Sequence, residues 1–192
     1  MKDIILIGGG GHCKSVVDVI EQEGRFNIIG IIDKPELLGK DLLGYQTIGN
    51  DSDLKDLVQV CKNVLITIGQ IRSPLKRIDL FHLALKLGFS LPIIVSPRAY
   101  VSKHATIGKG SIIMHDAVIN ASAIIGNNCI INTKSTVEHD SNIGNHCHIS
   151  TNAVINGGVL VGNGSFIGSG VVTKENIRIG DNFFAKAGTV IK

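Results

Sequence analysis

A chain of 192 residues with 23 Gly, 4 Pro, no Trp and 4% aromatics cannot build its core from large rings, so small and branched side chains must pack in a regular way. Its 19 basic and 16 acidic residues are scattered without runs, giving a formal charge of +3 that offers no footprint for nucleic acid but suits an anionic ligand. Four cysteines without CxxC or disulfide-like spacing, no leader-like start and no apolar stretch of spanning length predict a cytoplasmic protein rather than a secreted or membrane one.

The first elements alternate in type. Residues 3–7 read as a strand, 12–23 as an amphipathic helix, 27–32 as a second strand and 63–68 as a third. Asp51 or Ser52 is placed to cap a helix through Val60, Ser73 with Pro74 to open one running to Leu87, and Gly88 to close it. Such alternation implies a parallel sheet covered on its faces, so residues 1–95 are expected to form a small Rossmann-like α/β domain. Gly8-Gly9-Gly10-Gly11-His12 follows the first strand and opens the first helix, where backbone N–H groups can receive a phosphate or a sugar hydroxyl. The dinucleotide fingerprint is incomplete, because Cys13 stands at the third glycine place. Asp33 ends the second strand, a place that suits contact with a ribose or uracil and also an ordinary turn.

From Val101 the period changes to six. A β-branched aliphatic recurs at Val101, Ile107, Ile113 and onward to Ile167 without a slip, and at Ile179 after Thr173. Four residues after each comes a mostly small side chain, as at Ala117, Ala123, Cys129 and Ser135, and Gly often follows the aliphatic directly, as at Gly108, Gly126 and Gly144. The pattern predicts a solenoid of short flat strands stacked at about 4.8 Å, aliphatics inward, with three segments per turn and about five coils over residues 101–190 of a domain spanning 96–192. A sandwich of short strands would not hold an unbroken six-residue register.

With these residues in view, the chain resembles the sugar acyltransferases of the sialic acid O-acetyltransferase and bacillosamine N-acetyltransferase type. The resemblance is carried by Ile5 to His12, by Ile68-Gly69 with Arg72, and by Asn132-Thr133 followed by Val137-Glu138-His139-Asp140 and Ile143-Gly144. It implies a Rossmann-like domain that binds the acceptor, followed by a parallel left-handed β-helix that binds acetyl-coenzyme A, the left hand being implied by the resemblance alone. It further implies acetyl transfer to a sugar, a homotrimer with active sites between subunits, and no metal. The sequence ends at Val190-Ile191-Lys192 without the Gly-x-Pro-Ala tail of that family, which puts the tail's contacts with coenzyme A in doubt.

His139 stands third in its hexad, an outward position, and an imidazole titrating near neutrality suits a base that takes the proton of an attacking amine or hydroxyl. The resemblance assigns it that role. Asp140, or with less reason Glu138, is placed to hold the ring in one tautomer. Gly157 lies 18 residues on, so it is expected beside His139 in the next coil, leaving room for the pantetheine arm. The resemblance places coenzyme A near Gly157, Ser169 and Ala187, gives His148 a contact with it that suits donation to the thioester carbonyl, and puts Asn132 in the acceptor pocket. By the same route Gly10, Gly11, His12, Asp33, Lys34, Gly69 and Arg72 bind the nucleotide-sugar acceptor. Cys13 at a helix N-terminus raises a covalent acyl-enzyme, which is set aside for direct attack; the role of His146 is open. The favoured acceptor is the 4-amino group of a UDP- or GDP-linked amino-deoxy sugar. The alternatives are a sialic acid hydroxyl, a nucleotide-sugar binding protein without catalysis, and a zinc hydratase using His139, His146 and His148.

Overall fold

The structure, a computed structural model, describes residues 1–192. Contacts divide it into two units, one of residues 1–69 and 76–92, the other of residues 70–75 and 93–192.

In the first unit β1 (Lys2–Ile7), β2 (Phe26–Ile32), β3 (Asp41–Leu42), β4 (Tyr45–Gly49) and β5 (Val64–Ile66) form one sheet in the order β3-β4-β2-β1-β5. All neighbours are parallel except the β3–β4 hairpin, which the sequence did not announce because it is short and half exposed. Helices α1 (Gly11–Glu23), α2 (Leu54–Val60) and α3 (Leu75–Lys86) accompany the sheet. α1 buries Cys13, Val16, Val17, Val19 and Ile20, and Gly24 ends it at φ 69°, its N–H donating to Ile20 O. The cap ahead of α2 is Asn50 rather than Asp51 or Ser52. Its side chain accepts from Ser52 N while Asp53 reaches back to the Asn50 N–H, a capping box on the turn Asp51–Asp53. Ile5, Ile7, Ile32, Leu54, Val64, Ile66, Leu80 and Phe81 meet in one core.

The second unit is a left-handed β-helix of three parallel ladders, two of six strands and one of five. Strands pair in register at an offset of 18 residues, as Val118↔Thr136 and Ile119↔Val137 show. The aliphatics Ile113, Ile119, Ile125, Ile131, Val137 and Ile143 are sealed inside with the small residues Ala117, Ala123, Cys129 and Cys147. Each buried aliphatic removes enough apolar surface from water to contribute about 1.5–3 kcal/mol, offset by the cost of ordering the chain. The first coil begins earlier than the periodic run suggests, because Ile94–Val95 already pairs with Ile112–Ile113.

The corners explain the remaining pattern. A residue of left-handed backbone sits at most of them, among them Asp116, Ser122, Asn128, Lys134, Asp140, His146 and Asn152 with φ between 54° and 61°. At one corner Gly108, Gly126, Gly144 and Gly162 stack, each with no space for a Cβ against the next coil, whereas a Cβ at Gly180 meets nothing. Beside them Asn127, Asn145, Asn163 and Asp181 form a ladder in which each side-chain oxygen accepts the backbone N–H of the coil before, at 2.7–2.9 Å.

Candidate active site

Asp140 takes the left-handed corner conformation, φ 60°, directly after His139, and the imidazole stands outside the prism of coils. Both side chains are about two-thirds exposed. Nδ1 of His139 lies 2.7 Å from Asp140 Oδ2. A carboxylate only accepts, so the proton sits on Nδ1 and the Nε2 lone pair is left for another partner. The hydrogen bond to Asp140 raises the imidazole pKa above its ordinary 6.5, desolvation opposes it, and the charges of Asp140 and Glu138 add to the rise. Glu138 makes no hydrogen bond to the ring. Its Oε2 accepts from Asn120 Nδ2 at 2.8 Å, one coil earlier, so the orienting role belongs to Asp140 alone.

Gly157 lies over His139 as the 18-residue period requires. A Cβ there would stand 2.9 Å from both Cε1 and Nε2, so the missing side chain is what allows the ring to occupy its place. The bare Gly157 thus admits the imidazole and also lines the open groove beside it. The open groove, of about 410 Å³, is lined by Glu138, His139, Asp140, Asn156, Gly157, Gly158, Glu175 and Asn176. Sequence reasoning missed Asn156, Glu175 and Asn176. They lie 18 residues after Glu138, Gly157 and Gly158, so reading the coils as columns would have found them.

His148 has the opposite surroundings. It belongs to the ladder of Ile112, Ile130, Phe166 and Phe184 and is 7% exposed. Its Nδ1 is 2.5 Å from Gln70 O, its Nε2 is 3.1 Å from Asn132 Nδ2, and Phe166 meets it edge-on with centroids 5.2 Å apart. A carbonyl accepts, so Nδ1 carries the proton and Nε2 accepts from Asn132. With both ring nitrogens engaged inside the fold, the ring has no N–H left to offer a thioester carbonyl, which stands against the donor role expected of it. Asn132 in turn accepts from Thr133 N at 2.8 Å. Gln70 Nε2 donates to His146 O at 2.9 Å, and the His146 ring contacts Asn128 Nδ2 at 3.0 Å, so His146 is a corner residue that anchors the Gln70–Leu75 segment. Ile112 and Ile130 are fully buried on this same ladder, whereas Ile124 on another is 46% exposed.

Ser169 and Ala187 stack at a third corner, where Gly188 N donates to Ser169 O at 2.8 Å and Ser169 Oγ meets Ser150 Oγ at 3.0 Å. Neither they nor His148 line the groove of His139 and Gly157.

In the first unit a pocket of about 510 Å³ opens at the C-terminal ends of β1 and β2 and beyond β5, the place where open α/β sheets receive ligands. Gly8, Gly10, Asp33, Lys34 and Gly69 line it, together with Asn50, Asp51 and Lys76, which the sequence did not mark as ligand-facing. Gly8, at φ 105°, would drive a Cβ into Ile68, and Thr67 Oγ1 donates to its carbonyl at 2.6 Å. Asp33 accepts from Gly9 N at 2.5 Å and Lys34 N at 2.8 Å, so the turn reading of Asp33 holds beside any ligand contact. Gly10 caps α1 with no acidic residue in the first turn, which leaves that end attractive to an anion. Gly11 and His12 do not line the pocket, and Arg72 lies in a different groove with Pro74, Phe166 and Phe184. Burial pushes the Cys13 thiol up to about 11, against a nucleophilic thiolate.

Comparison with known proteins places this geometry. Residues 3–78 match the model described as PglD N-terminal domain, and residues 104–139 and 140–175 match that of the bacterial transferase hexapeptide. No curated protein sequence matches. Among solved structures, the acetyltransferase domain of PglB from Neisseria gonorrhoeae is 31% identical with a TM-score of 0.93, covering 100% of this chain and 92% of that one. The same domain in complex with acetyl coenzyme A gives 30% identity and a TM-score of 0.91 over 99% and 92%. A histidine-to-asparagine mutant of perosamine N-acetyltransferase from Caulobacter crescentus, in complex with CoA and GDP-perosamine, gives 32% and 0.94 over 100% and 89%. The chain thus belongs to the hexapeptide-repeat sugar N-acyltransferases, built from a PglD-type N-terminal domain and a left-handed β-helix.

Proposed function

We propose that this protein transfers the acetyl group of acetyl-coenzyme A to the amine of a nucleotide-linked amino-deoxy sugar, with His139 as general base. The observation that carries the reading is an exposed imidazole, held by Asp140 at 2.7 Å with its pKa raised, in an open groove over Gly157. Nε2 takes a proton from the acceptor amine as its nitrogen bonds to the thioester carbonyl. Asp140 stabilises the imidazolium so formed. As the C–S bond breaks, the proton passes from His139 to the departing thiolate. N-acetylation is favoured over O-acetylation by the relatives whose descriptions name N-acetyl transfer and an amino-sugar nucleotide.

The pocket at the ends of β1 and β2 is assigned to the acceptor's nucleotide, with Gly10, Lys34 and Gly69 around it and Gly11 and His12 in the turn that shapes it. Ser169, Ala187 and Gly157 are assigned to coenzyme A, with Asn132 held by His148 at the acceptor. Because these lie at different corners of the prism, one chain does not gather them, and a homotrimer with sites between neighbouring helices would. Exposed apolar residues on the outer ladders, Tyr100, Ile124, Val172 and Val190, support such packing. Four buried free thiols fit a cytoplasmic enzyme, and no helix is long and apolar enough to cross a membrane.

A thiol-release assay with acetyl-coenzyme A, run on nucleotide-linked 4-amino sugars and on free sialic acid, tests the reading. Release is expected with the amino sugars only. Release with sialic acid alone would replace this acceptor, and none with any acceptor would remove the enzyme.

A further inference from the structure

At every sixth residue from Val101 to Ile191 the β-helix turns an apolar side chain inward, except at Thr173, which is 1% exposed. A valine would fill that place with no hydroxyl to satisfy, so the polar group is explained by what it holds. On this ladder the residue after each inward aliphatic donates its N–H to the carbonyl of the matching aliphatic one coil on. Asn120 N does so to Val137 O and Glu138 N to Ile155 O, both at 2.9 Å. Asn156 departs from the rule. Its N–H donates to Thr173 Oγ1 at 2.9 Å, and its side-chain Nδ2 donates to Thr173 O at 2.6 Å. Strand pairing there is cut to Val154↔Val172, where the coil before pairs at both Thr136↔Val154 and Val137↔Ile155. One buried threonine thus holds Asn156 by backbone and side chain at once.

The exchange lies beside the base. Asn156 lines the groove of His139, and the next residue is Gly157, whose Cβ position lies nearer Nε2 and Cε1 of the imidazole than Nδ1. A carbonyl only accepts, so the amide end on Thr173 is the NH2, and the end left without a partner in the chain is Oδ1. The other polar side chains of the groove are placed differently. Glu138 turns Oε2 back to Asn120 in the coil before, and Asp140 is bound at the opposite ring nitrogen. Glu175 and Asn176 are exposed in the coil beyond Gly157.

A neutral amine brings two hydrogens to this place, whereas a hydroxyl brings one. In amine attack one hydrogen passes as a proton to His139 Nε2 and on to the thiolate, and the other stays on nitrogen as the N–H of the amide product. An acceptor on that second hydrogen orients the nitrogen lone pair toward the thioester carbon. We propose that Asn156 Oδ1 is this acceptor and Thr173 the positioning residue that fixes it, so that the pair selects an amine over a hydroxyl. A sugar hydroxyl gives its one hydrogen to Nε2 and leaves Oδ1 facing an oxygen lone pair, the mismatch by which a hydrogen-bonding site rejects an analogue. The inference rests on His139 acting as base in this groove.

Thiol release by the full chain with acetyl-coenzyme A tests it, on UDP- and GDP-linked 4-amino-4,6-dideoxyhexoses and on the 4-hydroxy counterpart of each. Asn156→Ala and Thr173→Val are each expected to lower kcat on the amine about tenfold, as loss of one hydrogen bond does. Acceptor KM should stay within about twofold, and the pH midpoint set by His139 should not move. Thr173→Val restores the aliphatic of the other coils, so it should melt no lower than the parent protein. Thr173→Ser, which keeps the hydroxyl, should recover most of the rate lost in Thr173→Val. Unchanged kcat in Asn156→Ala or Thr173→Val, an equal loss in Thr173→Ser, or an equal loss on amine and hydroxyl acceptors would overturn the pair and leave the base standing. Full activity in His139→Ala would remove the base and this inference together.

Discussion

His139 and His148 lie nine residues apart on the same β-helix and share a side chain, yet their surroundings give them opposite chemistry. His139 sits at a corner, two-thirds exposed, with a carboxylate on Nδ1 and a glycine beneath its ring. His148 sits on a ladder, buried, with a carbonyl on Nδ1 and an amide N–H on Nε2. A carboxylate favours the imidazolium, so the first ring can hold a proton in transit. The second ring has both nitrogens engaged within the fold, so it works as a strut. Residue type alone does not make a catalytic base; the groups on its two nitrogens decide.

The contrast can be broken most sharply at the corner. His139→Ala is expected to cut turnover by about 10²–10⁴-fold, while the melting temperature stays put because the ring is exposed. Full activity in that variant would end the assignment. Gly157→Ala puts a methyl 2.9 Å from Cε1 and Nε2 and must swing the ring aside. A loss of about 10²-fold in kcat is expected from misplacement, again with little change in melting.

Asp140→Asn is a conservative probe, because Asn also tolerates the left-handed backbone at φ 60°. Activity needs the unprotonated imidazole, and Asp140 holds the pKa above 6.5, so kcat/KM should rise with pH through a midpoint above that value. Removing the first cause of the rise should move the midpoint down and lower the plateau roughly tenfold. A midpoint that does not move would show that another group is being titrated.

At the buried ring the expected signature is stability. His148→Phe keeps a ring against Phe166 but strands Gln70 O and Asn132 Nδ2, which should cost about 1–3 kcal/mol in denaturant unfolding. The acid limb of the pH profile should stay where His139 sets it; a shifted limb would make His148 a titrating participant. The smallest effect is expected for Glu138→Gln, whose charge is the last cause of the His139 rise. Salt screening at an exposed site limits its effect on kcat/KM to roughly twofold.

The β-helix was legible because its period is local: an aliphatic every sixth residue fixes which way each segment faces, whatever the rest of the chain does. The same arithmetic puts Gly157, 18 residues on, against His139. The sheet and helices of the first unit were legible from alternating patterns, apart from the β3–β4 hairpin and the Asn50 cap. Only the tertiary structure placed the Gln70–Leu75 segment against the helix, buried His148 beneath it and fixed that ring's tautomer, because the partner, Gln70 O, lies 78 residues away in the chain. It also gathered Asn50, Asp51 and Lys76 into the pocket of Gly8 and Asp33, and separated Arg72 from it. Periodicity is written in nearest neighbours and can be read in one dimension, whereas a side chain's protonation and partners depend on what folding brings to it from elsewhere.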